Sequence, residues 1–270
     1  MHQENLPSDL SIIDLAFQPF ITVLLSLIKF LKIALLPSLI IAVLSGLVGF
    51  IFLPFLSSLP MIFLWIVAFL ALGVPSTAVA CSYHRHLLLG ENADRTGIGF
   101  YFGGSEITYL MRTFLIGMII FFGASISGLF VVGGVITSVL SIGILAVTVA
   151  IAVRFSLAPP AAAIGQDHIT LGHSWRKTQP VKWPLFYGAL IYSLISGLIF
   201  WAIQSASMFV FVFVIFSAIS TDSSLQGALM LIASVFLLVL VFMVSVACHV
   251  AFMTKVYTDL EGWPSSRAEA

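Results

Sequence analysis

The sequence predicts an all-α integral membrane protein with six transmembrane helices as three hairpins, each preceded by an interfacial amphipathic segment. The first observation is composition: of 270 residues, 60% are apolar and only 8% are charged. Soluble domains carry about 25% charged residues. This composition excludes a soluble globular protein, a disordered chain and a nucleic-acid binder that needs a basic patch. The other two observations are long uncharged blocks and a one-sided distribution of the basic residues.

Three blocks of the chain are almost free of charge. Residues 33–84 and 113–153 contain no Asp, Glu, Lys or Arg, and residues 183–254 contain one, Asp222. A membrane span needs about 20 apolar residues, so each block accommodates two spans and a turn. We expect the turns at 54–60, 133–134 and 217–224, where Pro, Gly or polar residues cluster. A β-barrel would show alternating residues, whereas these blocks are apolar on every face. The predicted spans are about 34–54, 61–83, 110–130, 135–153, 184–204 and 228–254.

All 11 Lys and Arg residues fall between these hairpins or outside them, on one side of the predicted membrane. Under the positive-inside rule that side is the cytoplasm. We therefore expect a multi-pass protein of the bacterial plasma (inner) membrane, with both termini and a tail at 258–270 in the cytoplasm. The opening carries Glu4, Asp9 and Asp14 before any basic residue. A cleavable signal peptide begins with a basic region, so we expect none here. We therefore expect the full chain to be retained as one membrane domain over 1–270.

Each hairpin has a polar lead-in. In residues 11–32 polar side chains recur every three or four residues, which predicts an interfacial helix with a narrow polar stripe. Ser11 and Asp14 fit a capping box, and Pro19 predicts a kink or restart. Residues 97–112 and 169–183 are comparable lead-ins. Each hairpin then reaches a basic residue and a glycine beside an acid or amide, namely Gly90, Gly165 and Gly262.

These parallels predict a threefold repeat of lead-in and hairpin, although chance similarity between apolar segments explains them equally well. Residues 205–224 fit the repeat poorly. We favour a long or tilted fifth helix there, because a further span would place Lys255 and Arg267 outside. A segment lying on the outer surface or re-entering the membrane remains an alternative.

Three stretches resemble a bacterial membrane family: 84–91 (HRHLLLGE), 154–161 (RFSLAPPA) and 171–178 (LGHSWRKT). The family comprises the membrane domain fused to some glycerophosphodiester phosphodiesterases and related stand-alone six-helix proteins. The resemblance covers roughly residues 10–262 and implies a six-helix fold and a membrane role. The chain departs from the family at Gln179 and Pro180, where members often have a basic residue and Gly.

The sequence predicts no enzymatic activity. Eight residues follow Gly262, too few for a catalytic barrel of about 250 residues. His84 and His86 are two residues apart and diverge by about 200° on a helix, whereas helical metal pairs sit at i and i+4. His249 lies inside a predicted span, where an ionisable residue is a functional candidate. We expect no catalytic residue, cofactor or metal, and take His84 and His249 as candidate functional polar groups.

Five basic residues are candidate contacts for lipid headgroups: Arg85, Arg112, Arg154, Arg176 and Lys177. Each attracts an anionic leaflet by about 1 kcal/mol, although ordinary topology determinants explain them as well. Arg85 and Arg154, at matching hairpin ends, would frame a headgroup pocket. Cys81 and Cys248 lie at membrane depth and are expected to behave as small apolar side chains.

These features predict a non-enzymatic accessory or scaffold subunit, or a lipid-organising module. Its expected partners are membrane lipids and another membrane protein, with no nucleic acid. Ser193 and Gly197, four residues apart, would suit a partner helix. The alternative is a lipid or small-amphiphile transporter, favoured by a membrane-depth cavity lined by Ser, Thr and aromatic residues. A membrane enzyme, with His84, His86 and Glu91 converging on His249, comes third.

Overall fold

The computed structural model describes residues 10–52, 73–90, 102–130, 135–219 and 224–262. These residues form α-helices, and no strand occurs among them. Five of the helices are long and apolar enough to cross a membrane. The predicted second span, 61–83, lies in part outside the described residues, so the six-span arrangement stays a prediction. The helices are α1 (Ile12–Leu25), α2 (Leu27–Phe52), α3 (Val74–Leu89), α4 (Gly104–Phe130), α5 (Val135–Val153), α6 (Ala158–Ala163), α7 (Leu171–Lys177), α8 (Lys182–Ile219) and α9 (Ser224–Glu261).

Helix α9 is the centre of the bundle. It packs against α1, α2, α3, α6 and α8. Its spanning segment is 39% buried, compared with 11% for those of α4 and α5. Tyr192 on α8 stacks on Phe252 of α9 with ring centroids 4.6 Å apart. The α4–α5 pair therefore lies at the periphery, joined to the rest through α3, α6 and α8.

The first lead-in differs from the prediction, because residues 11–32 are not one interfacial helix. Ser11 caps α1 by accepting a hydrogen bond from the Asp14 amide at 3.3 Å, as predicted. The helix breaks at Ser26 rather than at Pro19. The Ser26 hydroxyl lies 2.7 Å from both the Thr22 carbonyl oxygen and the Tyr83 hydroxyl, so a side chain of another helix fixes the break. Residues 27–32 are the first turns of α2.

Pro19 stays inside α1 because tertiary packing outweighs the lost backbone hydrogen bond. The buried face of α1 includes Leu15 and Pro19 and packs against α8 and α9. Pro37 is likewise inside α2, whereas Pro75 lies in the first turn of α3, where its missing N–H costs little.

The other boundaries follow the spans closely, with two corrections. The second lead-in, predicted over 97–112, belongs to the spanning helix from Gly104 onward. Helix α9 continues to Glu261, so the tail predicted from residue 258 begins later. Helix α8 runs without a break to Ile219, which confirms the long fifth helix. At 38 residues it extends about 57 Å, almost twice the hydrocarbon thickness of about 30 Å.

Three glycines support the predicted repeat. Among the described residues, positive φ occurs only at Gly90, Gly165 and Gly262, with values of 70°, 78° and 64°. These are the glycines that the sequence places after the three hairpins. Gly has no Cβ and adopts this left-handed conformation without strain, which stops a helix. A glycine with positive φ thus follows α3, α6 and α9.

Helices α4 and α5 pair through small and hydroxyl side chains. The Ser127 and Ser141 hydroxyls lie 2.6 Å apart in a buried contact. Gly123 lies against Thr148 so closely that an added Cβ would be 2.0 Å from its hydroxyl oxygen and 2.8 Å from its Cβ. Small residues at such contacts let two helices approach within a membrane, where dispersion and interhelical hydrogen bonds drive association.

Gly123→Ala is expected to destabilise this pair. The new methyl group would overpack the contact with Thr148, at a cost of about 1–3 kcal/mol. The free energy of unfolding in detergent is the measurement. Gly117→Ala is the matched control, because no heavy atom lies within 4 Å of a Cβ added at Gly117 on the same helix. Equal losses in the two variants would contradict the observed pairing of α4 with α5.

Candidate functional site

The candidate site lies at one end of the bundle, where three arginines surround the segment between α5 and α8. We call residues 155–181 the connector and Arg85, Arg112 and Arg154 the arginine layer. The connector contains α6, which starts with two prolines and is buried throughout, and α7, capped by the Thr170 hydroxyl. The arginines come from three different helices or helix ends. Arg154 joins two of the stretches that carry the family resemblance, 154–161 and 171–178, and Arg85 belongs to the third.

Arg85 is the most deeply buried of the three. Its Nη1 lies 2.6 Å from Oε1 of Glu106, and the two side chains are 7% and 1% exposed. Its Nε donates to the carbonyl oxygen of Ala163 at 2.7 Å, and its Nη2 donates to the Ser105 hydroxyl at 2.7 Å. The Gly103 amide donates to the other carboxylate oxygen of Glu106 at 2.9 Å. A buried charge is tolerated only when it is paired, as the Arg85 and Glu106 side chains are.

Arg112 bridges two turns of the connector. Its Nη1 donates to the carbonyl oxygens of Ala158 and Ile169, at 2.8 and 2.9 Å. These carbonyls lie on either side of Gly165. One guanidinium thus bonds to the first residue of α6 and to a residue just before α7.

Arg154 fastens α7. Its guanidinium carbon lies 3.3 Å from the centroid of the Trp175 ring, and its Nη2 donates to the Trp175 carbonyl oxygen at 2.7 Å and to the side-chain oxygen of Gln179. The buried Ser174 hydroxyl donates to the Arg154 carbonyl oxygen at 2.7 Å and accepts from the Leu157 amide at 3.2 Å. Helix α7 is therefore bonded to Arg154 through both its side chains and its backbone.

The predicted headgroup contacts occupy different environments. The side chain of Arg85 is almost completely buried. Its carboxylate partner, Glu106, is 21 residues later in the sequence. Arg112 and Arg154 are half-buried against the connector, Lys177 is half-buried and Arg176 is exposed in the last turn of α7. Headgroup contact stays a prediction, and Arg176 presents the largest accessible surface for it.

His84 belongs to a buried hydrogen-bond chain. The Thr254 hydroxyl donates to the Val250 carbonyl oxygen at 2.8 Å, so it accepts from Nδ1 of His84 at 2.7 Å. Nε2 then accepts from the Tyr109 hydroxyl at 3.4 Å. His84 lies just beyond the predicted second span, and burial lowers its pKa to about 3. The ring is therefore neutral and links α3, α4 and α9.

The convergence required for a histidine-based enzyme is only partly present. His249 is exposed on α9, near enough to His84 for their charges to interact. His86 is half-buried and its ring stacks on Tyr83, away from the partners of His84. Glu91 lies outside the described residues. Within those residues, no group of three His, Cys, Asp or Glu side chains could hold a metal ion. Cys81 and Cys248 are buried free thiols.

A groove of about 730 Å³ lies between α8 and α9, distant in sequence from the arginine layer. Its lining is mainly aromatic and aliphatic, and three polar side chains interrupt it: Gln204, Ser205 and Ser245. Sequence reasoning missed this groove because it depends on how two helices diverge. It also missed Glu106 as the partner of Arg85, since several carboxylates follow Arg85 in the sequence.

Glu106→Gln is expected to lower the free energy of unfolding by about 3 kcal/mol or more, because it leaves Arg85 charged and buried without a counter-ion. Thermal or denaturant unfolding in detergent measures this. Lys255→Gln is the control: Lys255 pairs with Asp259 at 2.6 Å, but both are more than a quarter exposed, so the loss should stay below about 1 kcal/mol. If both variants lost a similar, small free energy of unfolding, the burial of Arg85 would not depend on its pairing with Glu106.

Stability is also expected to depend on pH through His84. A histidine in the unfolded chain has a pKa of about 6.5, above the folded value. At pH values between these two pKa values, only the unfolded chain binds the proton. The contribution of neutral His84 is complete above about pH 6.5 and is lost as the pH falls towards 3, by up to about 1.4 kcal/mol per pH unit. Unfolding measured from pH 7 to pH 5 should show this slope. His84→Gln keeps a hydrogen-bond donor for Thr254 but cannot bind the proton, so this variant should show a flatter pH dependence of unfolding. An unchanged slope would mean that other residues cause the pH dependence.

In comparisons with known proteins, no family model, no curated protein and no solved structure matches the chain. Functional inference therefore depends on the chemistry of the described side chains.

Proposed function

We propose that the chain is a non-enzymatic multi-pass protein of the bacterial inner membrane, with cytoplasmic termini, that organises lipids or serves as an accessory or scaffold subunit. One observation carries this proposal. The arginine layer fixes the connector against the bundle, and this leaves basic and aromatic side chains exposed where α8 begins. Such an arrangement suits a rigid contact surface at the membrane boundary.

The exposed side chains form what we call the ridge, residues 175–183. Trp175 and Trp183 are 36% and 60% exposed, and Arg176 and Lys182 are exposed. Lys182 begins a candidate span, which puts the ridge near the membrane boundary. Trp side chains favour that depth, and Lys and Arg side chains there favour the cytoplasmic side.

The peripheral helices support a partner role. The spanning segments of α4 and α5 are each 11% buried within the chain, so most of their apolar surface is left for lipid or another membrane protein. Ser193 and Gly197 are likewise exposed on α8. We also propose kinship with the membrane domain of the glycerophosphodiester phosphodiesterase family, supported by the contact of Arg154 with Trp175, which joins two of its three characteristic stretches.

Affinity purification from native membranes after gentle solubilisation, with protein and lipid identification, tests this function. We expect either a stoichiometric partner protein or a lipid composition that differs from the bulk membrane. Disrupting the arginine layer by Glu106→Gln should reduce this retention, whereas Lys255→Gln should not. Recovery of the isolated chain with lipids in bulk proportions would count against both roles.

A lipid or small-amphiphile transporter is the second candidate, favoured by the groove between α8 and α9. Ligand pockets typically measure about 300–1,000 Å³ and combine apolar walls with a few polar groups. Ser245→Phe should block the groove and slow the movement of a fluorescent phospholipid across vesicle membranes. Leu194→Phe, exposed on α8 outside the groove lining, is the control. A rate equal to that of protein-free vesicles for the unmodified chain would remove this candidate.

A further inference from the structure

We propose that the ridge is a binding site for the phosphate-bearing headgroups of anionic phospholipids, in the leaflet that it faces. This inference rests on the proposed lipid contact and names the lipid class and the residues. Its principal cations are Arg176 and Lys182, and its aromatic members are Trp175 and Trp183.

The ridge is held in a fixed shape. Ser174 on the inner face of α7 and Thr178 directly after the helix are fully buried. The Ser174 hydroxyl donates to the Arg154 carbonyl oxygen at 2.7 Å, and the Thr178 hydroxyl donates to the Ser174 carbonyl oxygen at 2.8 Å. Trp175 is held between the Arg154 guanidinium and the Phe155 ring, whose centroid is 5.4 Å away. Because α7 is fastened on this side, Arg176 in its last turn is directed outward. A preorganised cation loses less conformational freedom on binding.

The ridge contains basic residues and no carboxylate of its own. No Asp or Glu occurs between Asp167 and Asp222, a stretch that includes the whole ridge. Two cations elsewhere are neutralised: Arg85 by Glu106 and Lys255 by Asp259, each at 2.6 Å. The exposed charges of Arg176 and Lys182 therefore complement a phosphate, and Arg has the planar donor geometry that binds phosphate oxygens in pairs.

Aromatic side chains set the depth of the ridge. Lys182 Nζ lies 5.9 Å from the Trp183 ring centroid, and Trp183 stacks on the half-exposed Tyr187 with centroids 6.3 Å apart. Indole and phenol rings prefer the headgroup level. The cations beside them are thus held at the height of lipid phosphates, which favours a bilayer lipid over a soluble phosphate.

The test compares variants of the full chain in nanodiscs made of equal parts of phosphatidylcholine and phosphatidylglycerol. After gentle solubilisation, native mass spectrometry gives the ratio of the two lipids that remain bound. We expect the unmodified chain to retain phosphatidylglycerol preferentially. Arg176→Gln with Lys182→Gln should reduce this preference by about 25-fold, since each of the two exposed cations contributes a factor of about five. Excess inorganic phosphate should not displace the lipid.

Two control variants make the result specific. Lys29→Gln with Lys32→Gln removes the same charge from exposed positions on α2, outside the ridge, and should keep the preference. Arg176→Lys with Lys182→Arg keeps the charge and should keep most of it. Equal reductions in the two glutamine variants, or no preference in the unmodified chain, would overturn the proposed site. Bound lipid without preference leaves the proposed function intact, whereas the absence of retained lipid would remove its lipid-organising role as well.

Discussion

The pairing of guanidinium groups with the backbone carbonyls of the connector is the interaction on which the rest of the structure depends. The connector turns sharply twice, at α6 and at α7, and each turn leaves carbonyl oxygens without helical partners. Near a bilayer such groups must be satisfied by the protein. Arg85, Arg112 and Arg154 each donate to one or more of these oxygens. Charge-assisted bonds of this kind are about twice as strong as neutral ones.

Hydropathy and charge placement predicted much of the fold, because a bilayer imposes length and apolarity on every span. Five predicted spans coincide with helices, and the three glycines that the sequence places after the hairpins have positive φ. The failures arose from long-range contacts. Tyr83, distant in sequence, fixes the break at Ser26, and packing against α8 and α9 keeps Pro19 helical. Neither contact can be predicted from local helix propensity.

The candidate site was less predictable for a related reason. The sequence indicated which basic residues gather at one end of the bundle, but the sign of a charge does not reveal whether it faces lipid or protein. Arg85 and Arg176 look alike in sequence, yet one is buried against Glu106 and the other is exposed. The distinction depends on carbonyls of the connector, which belong to the backbone and leave no trace in the residue pattern.

This division of the basic residues gives them separate physical roles. A guanidinium that is already bonded within the protein cannot leave its partners for a lipid phosphate without exposing buried acceptors, a cost of about 1–3 kcal/mol for each. The arginine layer therefore acts as structure. By fastening α7 it determines where Arg176 and the neighbouring indole rings stand relative to the bundle. The lipid contact proposed for the ridge would thus depend on charges that are bonded within the protein.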